Sequence, residues 1–518
     1  MNKIKEFPVK NGDVFVLLAT IVSVYTTVRI GVFNGFNFGF SIGAGVILLV
    51  SSFYLFKKRA KNKVFNTIMV ALLLVLISSF SVTQNGVMKF CTLVFLAVMV
   101  PLVLCSVAGN SAMENGSYRA GLVGLYRSFS SAFLDIDVIF DSYKQRFAGG
   151  KNKNIGYLGI GLLVSVPLVC IVVPLLSSSD IAFNSLLGNI TSNIVLFVVA
   201  LVLTLVASPI ISSFLFSMKK KDISGAGRKI SGKVPPVIFC TMLCAVSVVY
   251  ITYAISQLAY ITKAFSFLLP EGFSAAEFAR SGFFQMGAIS FINFMIIGIC
   301  TIFVKRKENG KLYNSIKGLV AFICIFTIFY ISTAFLKMMK YISLYGLTQL
   351  RVLTSVFMMM LAIIFVIILL KLFISKLKYI KAVILVCTLT LVSVTVVDTN
   401  TIIAEYNYDH YKKGEIKIDV DQIGSLGLSG VPTLVKLADD KNEEISDLAK
   451  TYIIDITRDE ISPEAFDDEF KGKELSMMKT SIFEKNYVHS IAEKEVMEFI
   501  QKNPDLSVDD MVDEYFEY

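Results

Sequence analysis

The stretch Pro270-Glu-Gly-Phe-Ser-Ala-Ala-Glu-Phe-Ala-Arg-Ser-Gly-Phe-Phe-Gln285 is typical of the entrance to a long helix. Ser274 can cap the first backbone N–H groups, and Glu277 three residues later can reach back to the cap, which together form a capping box. Phe273 and Phe278 occupy the N′ and N4 positions of a hydrophobic staple. Apolar sequence of membrane-span length follows. The stretch therefore predicts a point at which a membrane span meets water.

Hydrophobic runs of this length recur along most of the chain. The 518 residues are 55% hydrophobic, with 42 Phe and no Trp. Repeated apolar runs of about 20 residues are typical of membrane helices, so the predicted fold class is all-α, a polytopic transmembrane helix bundle. Eleven spans are drawn, over residues 14–33, 37–56, 64–83, 87–108, 155–176, 190–217, 236–262, 282–304, 315–336, 352–374 and 379–397.

The charge divides the chain into two parts. Residues 1–397 carry 36 Lys and Arg against 11 Asp and Glu, whereas residues 398–518 carry 13 against 29. This division predicts a basic transmembrane bundle (1–397) and an acidic, helical soluble domain (398–518). In the acidic part, a helical repeat of apolar residues is formed by Ile445, Leu448, Ala449, Tyr452 and Ile453.

The connectors between the spans predict the orientation. Every second connector is rich in Lys and Arg, as in Lys57-Lys-Arg-Ala-Lys-Asn-Lys63 and Lys219-Lys-Lys221, and the others are nearly bare. By the positive-inside rule the amino terminus is cytoplasmic, and an odd number of spans puts the acidic tail outside. Residues 118–148 are too charged to span and predict an amphipathic helix on the cytoplasmic surface. A helix that docks a partner is the alternative for this segment.

Four glycines recur every fourth residue across the first hairpin, at Gly31, Gly35, Gly39 and Gly43. Small residues at this spacing let helix backbones approach closely. Packing within the chain is the simpler interpretation, and a homodimer seam is the alternative.

Four stretches together resemble a bacterial multipass membrane family that is known only as a domain of unknown function (the 4153/4173 group). They are Leu-Ser-Ser-Ser-Asp-Ile-Ala-Phe (176–183), Pro-Glu-Gly-Phe with Ala-Arg-Ser-Gly-Phe-Phe-Gln (270–285), Tyr-Gly-Leu-Thr-Gln-Leu-Arg (345–351) and Asn-Thr-Ile-Ile-Ala-Glu-Tyr-Asn (400–407). The resemblance covers most of residues 150–440. It implies relatedness and a multipass topology, and it implies no catalytic role.

All four stretches fall on the predicted outer face, where their polar residues could converge beneath the tail. The candidate outer-face ligand site consists of Asp180, Glu271, Glu277, Arg280, Tyr345, Thr348, Arg351 and Asn407. We hypothesise that it binds a small molecule or a lipid headgroup, with Arg280 and Arg351 facing an anion. The alternative is that these groups pair with one another and cap the ends of the helices.

Signatures of enzymes are scarce. The two histidines, His410 and His489, have no metal-ligand spacing, and all eight cysteines lie in apolar runs. The Gly-x-Ser-x-Gly, phosphate-loop and His-Glu-x-x-His motifs are absent from the sequence. We therefore predict no catalytic residues, no metal and no cofactor. The centres of the spans contain no Asp or Glu, which disfavours proton coupling through buried acids.

The sequence favours a non-enzymatic integral membrane protein that binds, senses or scaffolds at the outer face of a bacterial cytoplasmic membrane. A transporter or lipid-translocating permease is the second interpretation, and an external membrane transferase that uses Glu271, Glu277 or Asp180 is the third. The expected partners are membrane lipids, a small-molecule or lipid-headgroup ligand and, through the acidic tail, another protein. Nucleic acid is not an expected partner.

Overall fold

The computed structural model describes residues 9–33, 36–56, 62–82, 85–109, 181–220, 235–264, 275–303, 310–374, 376–457 and 487–502, with isolated residues between 126 and 141. All regular structure in these ranges is helical. The apolar helices are α1 (Asn11–Thr26, continued by a π-helical turn over Thr27–Val32), α2 (Phe38–Leu55), α3 (Lys63–Ser78), α4 (Gly86–Val107), α5 (Ile181–Lys220), α6 (Pro236–Ala264), α7 (Ala275–Phe303), α8 (Gly310–Tyr345), α9 (Gln349–Phe373) and α10 (Tyr379–Val396).

Each of these ten helices is long and apolar enough to cross a membrane, α3 together with the 3₁₀ turn Ser79–Ser81 that continues it. They correspond to ten of the eleven predicted spans, and the predicted span at 155–176 lies outside the described residues. The helix α7 begins at Ala275, directly after the predicted cap Ser274, which itself lies outside the described residues. Most of the predicted interfacial segment 118–148 is also outside them, although Ala132 is buried against the first half of the bundle. The all-α polytopic fold class is confirmed.

The first half of the bundle packs α1 to α5 together with α10 around one apolar core. Its tightest contact is the hairpin of α1 and α2. A Cβ atom added at Gly31 would lie 2.5 Å from the Cα of Phe40, and one added at Gly43 would lie 2.8 Å from the Cα of Thr27. The glycine spacing therefore serves a close approach of two helices within the chain, as the simpler interpretation predicted.

The second half packs α6 to α9 around a separate core, and α10 contacts both α3 of the first half and α9 of the second. Three polar side chains form a chain of hydrogen bonds within this second core. Asn293 accepts a hydrogen bond from the hydroxyl of Tyr250 (2.6 Å) and donates one to Oγ1 of Thr327 (2.8 Å). Since a buried polar group is costly unless it is bonded, this chain of bonds ties α6, α7 and α8 together in one arrangement.

After the bundle, residues 398–457 and 487–502 form five shorter α-helices, which we call the tail: α11 (Thr399–Lys412), α12 (Val420–Gly424), α13 (Val431–Ala438), α14 (Glu443–Ile456) and α15 (Tyr487–Lys502). They enclose a third apolar core, with Ile403, Ile423, Leu434 and Ile453 fully buried. The predicted stripe on α14 is confirmed, because Ala449 and Ile453 are buried there and Ile445, Leu448 and Tyr452 are partly buried.

Two polar contacts show which helix ends lie together. Nζ of Lys219, at the end of α5, is 3.2 Å from Oδ1 of Asp13, at the start of α1. Nζ of Lys378, just before α10, donates to the side chain of Asn62, just before α3 (3.3 Å). The chain runs along α1, returns along α2 and runs back along α3, and each of these helices packs on the next. The starts of α1, α3 and α10 therefore share one end of the bundle, which we call the first end. Because α10 crosses the bundle once, the tail begins at the opposite end, which we call the second end.

Candidate functional site

The connector between α8 and α9 is three residues long and lies at the second end, against the tail. Gly346 adopts φ +72°, a left-handed conformation that favours glycine, and so turns the chain at the end of α8. Thr348 then caps α9, with its hydroxyl accepting from the backbone N–H of Arg351 (3.3 Å). Both features are local, because each acts on backbone groups within three residues of itself.

The tail holds this connector through the buried side chain of Asn407 on α11. Its amide oxygen accepts from the backbone N–H of Leu347 (2.7 Å), and its amide nitrogen donates to the carbonyl of the same residue (2.8 Å). Gln422 on α12 donates to that carbonyl as well (2.6 Å). The Leu347 peptide groups, which would otherwise lack partners at a helix end, are thus satisfied by the tail.

Two further contacts hold the connector and the start of α9 against the tail. We call this set of contacts, between residues 346–349 and the tail, the joint. Gln349, in the first turn of α9, donates to the side-chain oxygen of the buried Asn400 on α11 (3.0 Å). A Cβ atom at Gly346 would collide with the side-chain oxygen of Asn407 and would lie 3.1 Å from the Ile416 side chain. Glycine is therefore required at this position for its backbone conformation and also for the close contact with the tail.

Arg351 folds back over the connector from the first turn of α9. Its Nη1 donates to the carbonyls of Tyr345 (2.8 Å) and Gly346 (2.6 Å), and its Nη2 donates to the hydroxyl of Tyr341 (3.0 Å). The guanidinium carbon also lies 4.1 Å from the centroid of the Tyr341 ring. Among the residues that the structure describes, the other two N–H groups, on Nε and Nη2, donate to no protein atom.

The surroundings of the connector are basic on the side of the bundle. Lys337 and Lys340 lie on the last turns of α8, and Arg351 follows the connector. On the side of the tail, Nδ1 of His410 lies 2.8 Å from the carbonyl of Tyr406, and the two rings stack at 3.8 Å. Burial raises the pKa of the Tyr406 hydroxyl, and the nearby Glu415 carboxylate raises it further, so this phenol stays protonated at neutral pH.

The structure brings together four of the eight residues of the candidate site, Tyr345, Thr348, Arg351 and Asn407. Glu277 and Arg280 lie in the first turns of α7, and their side chains are outside the described part of the structure, as are Asp180 and Glu271. The start of α7 lies at the same end, because the Phe283 ring is 6.2 Å from the ring of Phe357 on α9. The anion-binding role of the site stays a prediction.

Sequence reasoning missed three residues of this site, namely Tyr341, Asn400 and Gln422. Tyr341 lies one helical turn before the candidate Tyr345 on α8, so the helix period offered a signal for it. Asn400 bonds Gln349 and Gln422 bonds Leu347, each from a position more than fifty residues away in sequence, and no local pattern indicates such pairings. Asn400 stands inside one of the four stretches that carry the family resemblance.

Ten membrane-length helices in the described ranges, two bundle cores and a helical tail define the class as a multipass, all-α membrane protein. The chain belongs to the family described as a domain of unknown function, DUF4153, whose family model matches residues 44–437. The match begins well before residue 150, so it covers a part of the chain in which the sequence motifs indicated no relationship. Searches of curated proteins and of solved structures find no match.

The chemistry of these residues suits binding a hydrogen-bond acceptor next to a connector that is fixed to the tail. Within the described part of the chain, two guanidinium N–H groups of Arg351 have no protein acceptor, and they lie beside a connector whose Leu347 N–H and carbonyl are both bonded by the tail. An anion that binds the guanidinium would compete with the carbonyls of Tyr345 and Gly346 for its N–H groups. Loss of those hydrogen bonds would change the conformation of the connector.

Proposed function

We propose that this protein binds or senses an anionic ligand at the outer face of the cytoplasmic membrane of a bacterium, and that its tail reports the binding event. The observation that carries the proposal is the pair of hydrogen bonds that Asn407 makes with the backbone N–H and carbonyl of Leu347. Gln422 donates a third hydrogen bond to the same carbonyl. A rigid joint of this kind couples the connector to the tail, because moving one requires breaking buried hydrogen bonds of the other.

The ligand is either a lipid headgroup or a small molecule with a carboxylate or phosphate. Arg351 supports this chemistry, since guanidinium groups recognise planar and tetrahedral oxyanions through paired N–H groups. Arg280, on the neighbouring α7, is the second cation of the proposed site. The role is non-enzymatic: the described residues of the joint are amides, a hydroxyl, a guanidinium and phenols, which suit binding.

The orientation is a separate part of the proposal. The amino terminus is cytoplasmic and the tail is outside, because the connectors at the first end are rich in Lys and Arg. The tail contains no cysteine, so a Cys introduced at the exposed Glu443, in a background whose eight native cysteines are replaced by Ser, gives a single label site. We expect a membrane-impermeant maleimide to label the Glu443→Cys variant in intact cells. Labelling only after lysis would put the tail in the cytoplasm and overturn the outer-face proposal.

Ligand binding is tested with the full chain in nanodiscs, with phosphatidylglycerol and inorganic phosphate as the two probes. We expect hydrogen exchange in α11 to slow by about tenfold with the probe that binds, the factor equivalent to ~1.4 kcal/mol. A response to inorganic phosphate in phosphatidylcholine nanodiscs would identify a small-molecule site. A response to phosphatidylglycerol alone would identify a headgroup site.

The matched variants are Arg351→Gln and Lys340→Gln, which each remove one positive charge at the second end. The proposal expects the response of α11 to vanish in Arg351→Gln and to persist in Lys340→Gln. Equal responses in both variants, or no response to either probe in the unmodified protein, would contradict it. Uptake of a solute into proteoliposomes that depends on Arg351 would instead favour a transporter.

A further inference from the structure

We infer that a groove on the outside of α2 and α3, at the first end of the bundle, binds one anionic phospholipid of the surrounding bilayer. This site is independent of the proposed function, because it lies at the end of the bundle opposite to the joint with the tail. The groove has a volume of about 380 Å³ and is lined by residues of α2 and α3 together with Val107 of α4. That volume falls in the range of small-ligand pockets, roughly 300–1,000 Å³.

The walls of the groove suit a hydrocarbon chain. They are formed largely by Leu49, Phe53, Val70 and Leu74, and the groove is open on the side that faces away from the core. Phe53 is 88% exposed and Leu49 is 51% exposed, although both belong to a helix of membrane-span length. Within a bilayer, surface of this kind is covered by lipid tails, so an acyl chain is the occupant that the surroundings supply.

Polar groups collect at the end of the groove where α2 ends and α3 begins. Lys63, in the first turn of α3, is exposed and lines the groove together with Thr67. Ser52 contributes a hydroxyl that is shielded from solvent and has no hydrogen-bond partner among the described residues. Lys378 lies near the same end, donating to Asn62 (3.3 Å). None of the eleven lining residues is acidic.

This arrangement matches the two parts of an anionic phospholipid. The acyl chain fits along the apolar walls, and the phosphate reaches Lys63 as its counter-charge, with the Thr67 hydroxyl as a hydrogen-bond donor. Basic pockets between membrane helices are known to hold anionic headgroups, because each Lys or Arg near the surface contributes attraction to anionic lipid. A zwitterionic headgroup carries its own ammonium group and gains less from Lys63.

The absence of Trp from the chain makes a direct test possible. The Phe53→Trp variant places a single fluorophore in the groove, and Phe15→Trp places one at an exposed position on α1, also at the first end. Each variant is reconstituted into phosphatidylcholine vesicles that contain either brominated phosphatidylglycerol or brominated phosphatidylcholine, which quench nearby indole rings. We expect brominated phosphatidylglycerol to quench the Phe53→Trp reporter with about fivefold higher apparent affinity than brominated phosphatidylcholine. The Phe15→Trp reporter should show no such preference.

Two second-site changes identify the parts of the site. In the Phe53→Trp background, Lys63→Gln should remove the preference for phosphatidylglycerol and leave quenching by phosphatidylcholine unchanged. Ala71→Phe, at an exposed position in the groove wall, should reduce quenching by both lipids because it fills the space for the acyl chain. Native mass spectrometry of the protein without any Trp substitution provides an independent count of retained phosphatidylglycerol, which Lys63→Gln should lower.

The inference is overturned if the Phe53→Trp and Phe15→Trp reporters show the same ratio of quenching by the two lipids. It is equally overturned if Lys63→Gln leaves both the ratio and the retained phosphatidylglycerol unchanged. Neither result bears on the joint, because the proposed function is read from hydrogen exchange in α11 and from Arg351.

Discussion

The bundle and the tail are both helical, yet they bury their residues by opposite means. On α9 of the bundle, Leu350, Ile363 and Phe373 are exposed, whereas on α14 of the tail Ala449 and Ile453 are buried under a charged surface. Lipid is as apolar as leucine, so burying a leucine inside the bundle gains little. Moving an apolar side chain out of water is favourable, so the hydrophobic effect stabilises the core of the tail. The two regions depend on different interactions for their stability.

The bundle compensates with close packing and internal hydrogen bonds. Many of its hydroxyl groups bond within their own helices, as Thr204 shows by donating to the carbonyl of Ala200 (2.7 Å) and Thr327 by donating to that of Ile323 (2.6 Å). Its closest helix pair is the one that uses glycine, at Gly31 and Gly43. The tail differs in its core, which is formed mainly by apolar side chains such as Leu434 and Ile453, and several of its helices are capped by Asp or Asn side chains.

The largest difference should come from removing a leucine from each region. Leu434 is fully buried in the core of the tail, and Leu389 on α10 is 46% exposed among the apolar residues of a span. We expect Leu434→Ala to destabilise the tail by about 2–5 kcal/mol and Leu389→Ala to have little effect. Limited proteolysis and hydrogen exchange of α13 and α14 measure the first effect. Comparable losses in both variants would refute the contrast between water and lipid.

Adding a methyl group should test the close packing on which the bundle depends. A Cβ at Gly43 meets the Cα of Thr27 at 2.8 Å, whereas a Cβ at Gly45 on the same helix reaches only Leu74, at 3.8 Å. We expect Gly43→Ala to destabilise the bundle by about 1–3 kcal/mol. Gly45→Ala should stabilise it by about 0.5–1 kcal/mol, because alanine restricts the unfolded chain. The fraction of protein that remains monodisperse after heating in detergent measures both, and effects of the same sign would contradict the close packing.

The next largest effect should come from breaking the contacts between the bundle and the tail. Asn407→Leu leaves the backbone N–H of Leu347 without its acceptor, which costs about 1–3 kcal/mol when the group is buried. We expect faster hydrogen exchange in α11 and at the start of α9, with the cores of the bundle unchanged. Glu405→Gln, at an exposed position on the same helix, is the control. Exchange that rises equally in the two variants would show that the joint is not held by Asn407.

The smallest effect should be a pH dependence confined to the tail. The carboxylate of Asp440 accepts from Nζ of Lys412 (2.6 Å), which is the main cause that lowers the pKa of Asp440 and raises that of Lys412. The contribution of Asp440 is therefore present above about pH 4 and is lost as the pH falls through its lowered pKa. The contribution of Lys412 is present below its ordinary pKa and is lost as the pH rises through its raised one.

Since Lys412 is partly exposed, the pair should stabilise the tail by less than about 1 kcal/mol between these limits. We expect Asp440→Asn to flatten the acid side of the stability curve of the tail. Ellipticity of the full-length protein in nanodiscs, followed from pH 7 to pH 3, measures this, and Asp447→Asn is the control at an exposed ion pair. An unchanged acid midpoint in Asp440→Asn would show that the pair contributes nothing.

Local features of the site were predictable from sequence, and long-range ones were not. Thr348 caps α9 and Gly346 turns the chain because each acts on backbone groups within three residues of itself. The sequence identifies Asn407 as a candidate. Its partner, the backbone of Leu347, is sixty residues away, and no local pattern predicts that pairing. Arg351 was predicted to face an anion, and the structure shows that three of its N–H groups already serve the connector and Tyr341.

The sequence by itself determined that this is an all-α membrane protein, where ten of its helices lie and that its tail has a core of its own. These properties depend on apolar run length, helical period and charge, which are carried by neighbouring residues. Only the tertiary structure decided that α10 links two bundle cores, that α11 and α12 grip the connector and that a groove opens beside Lys63. Such features arise where residues distant in sequence meet, and the shapes that bring them together are a property of the whole packed chain.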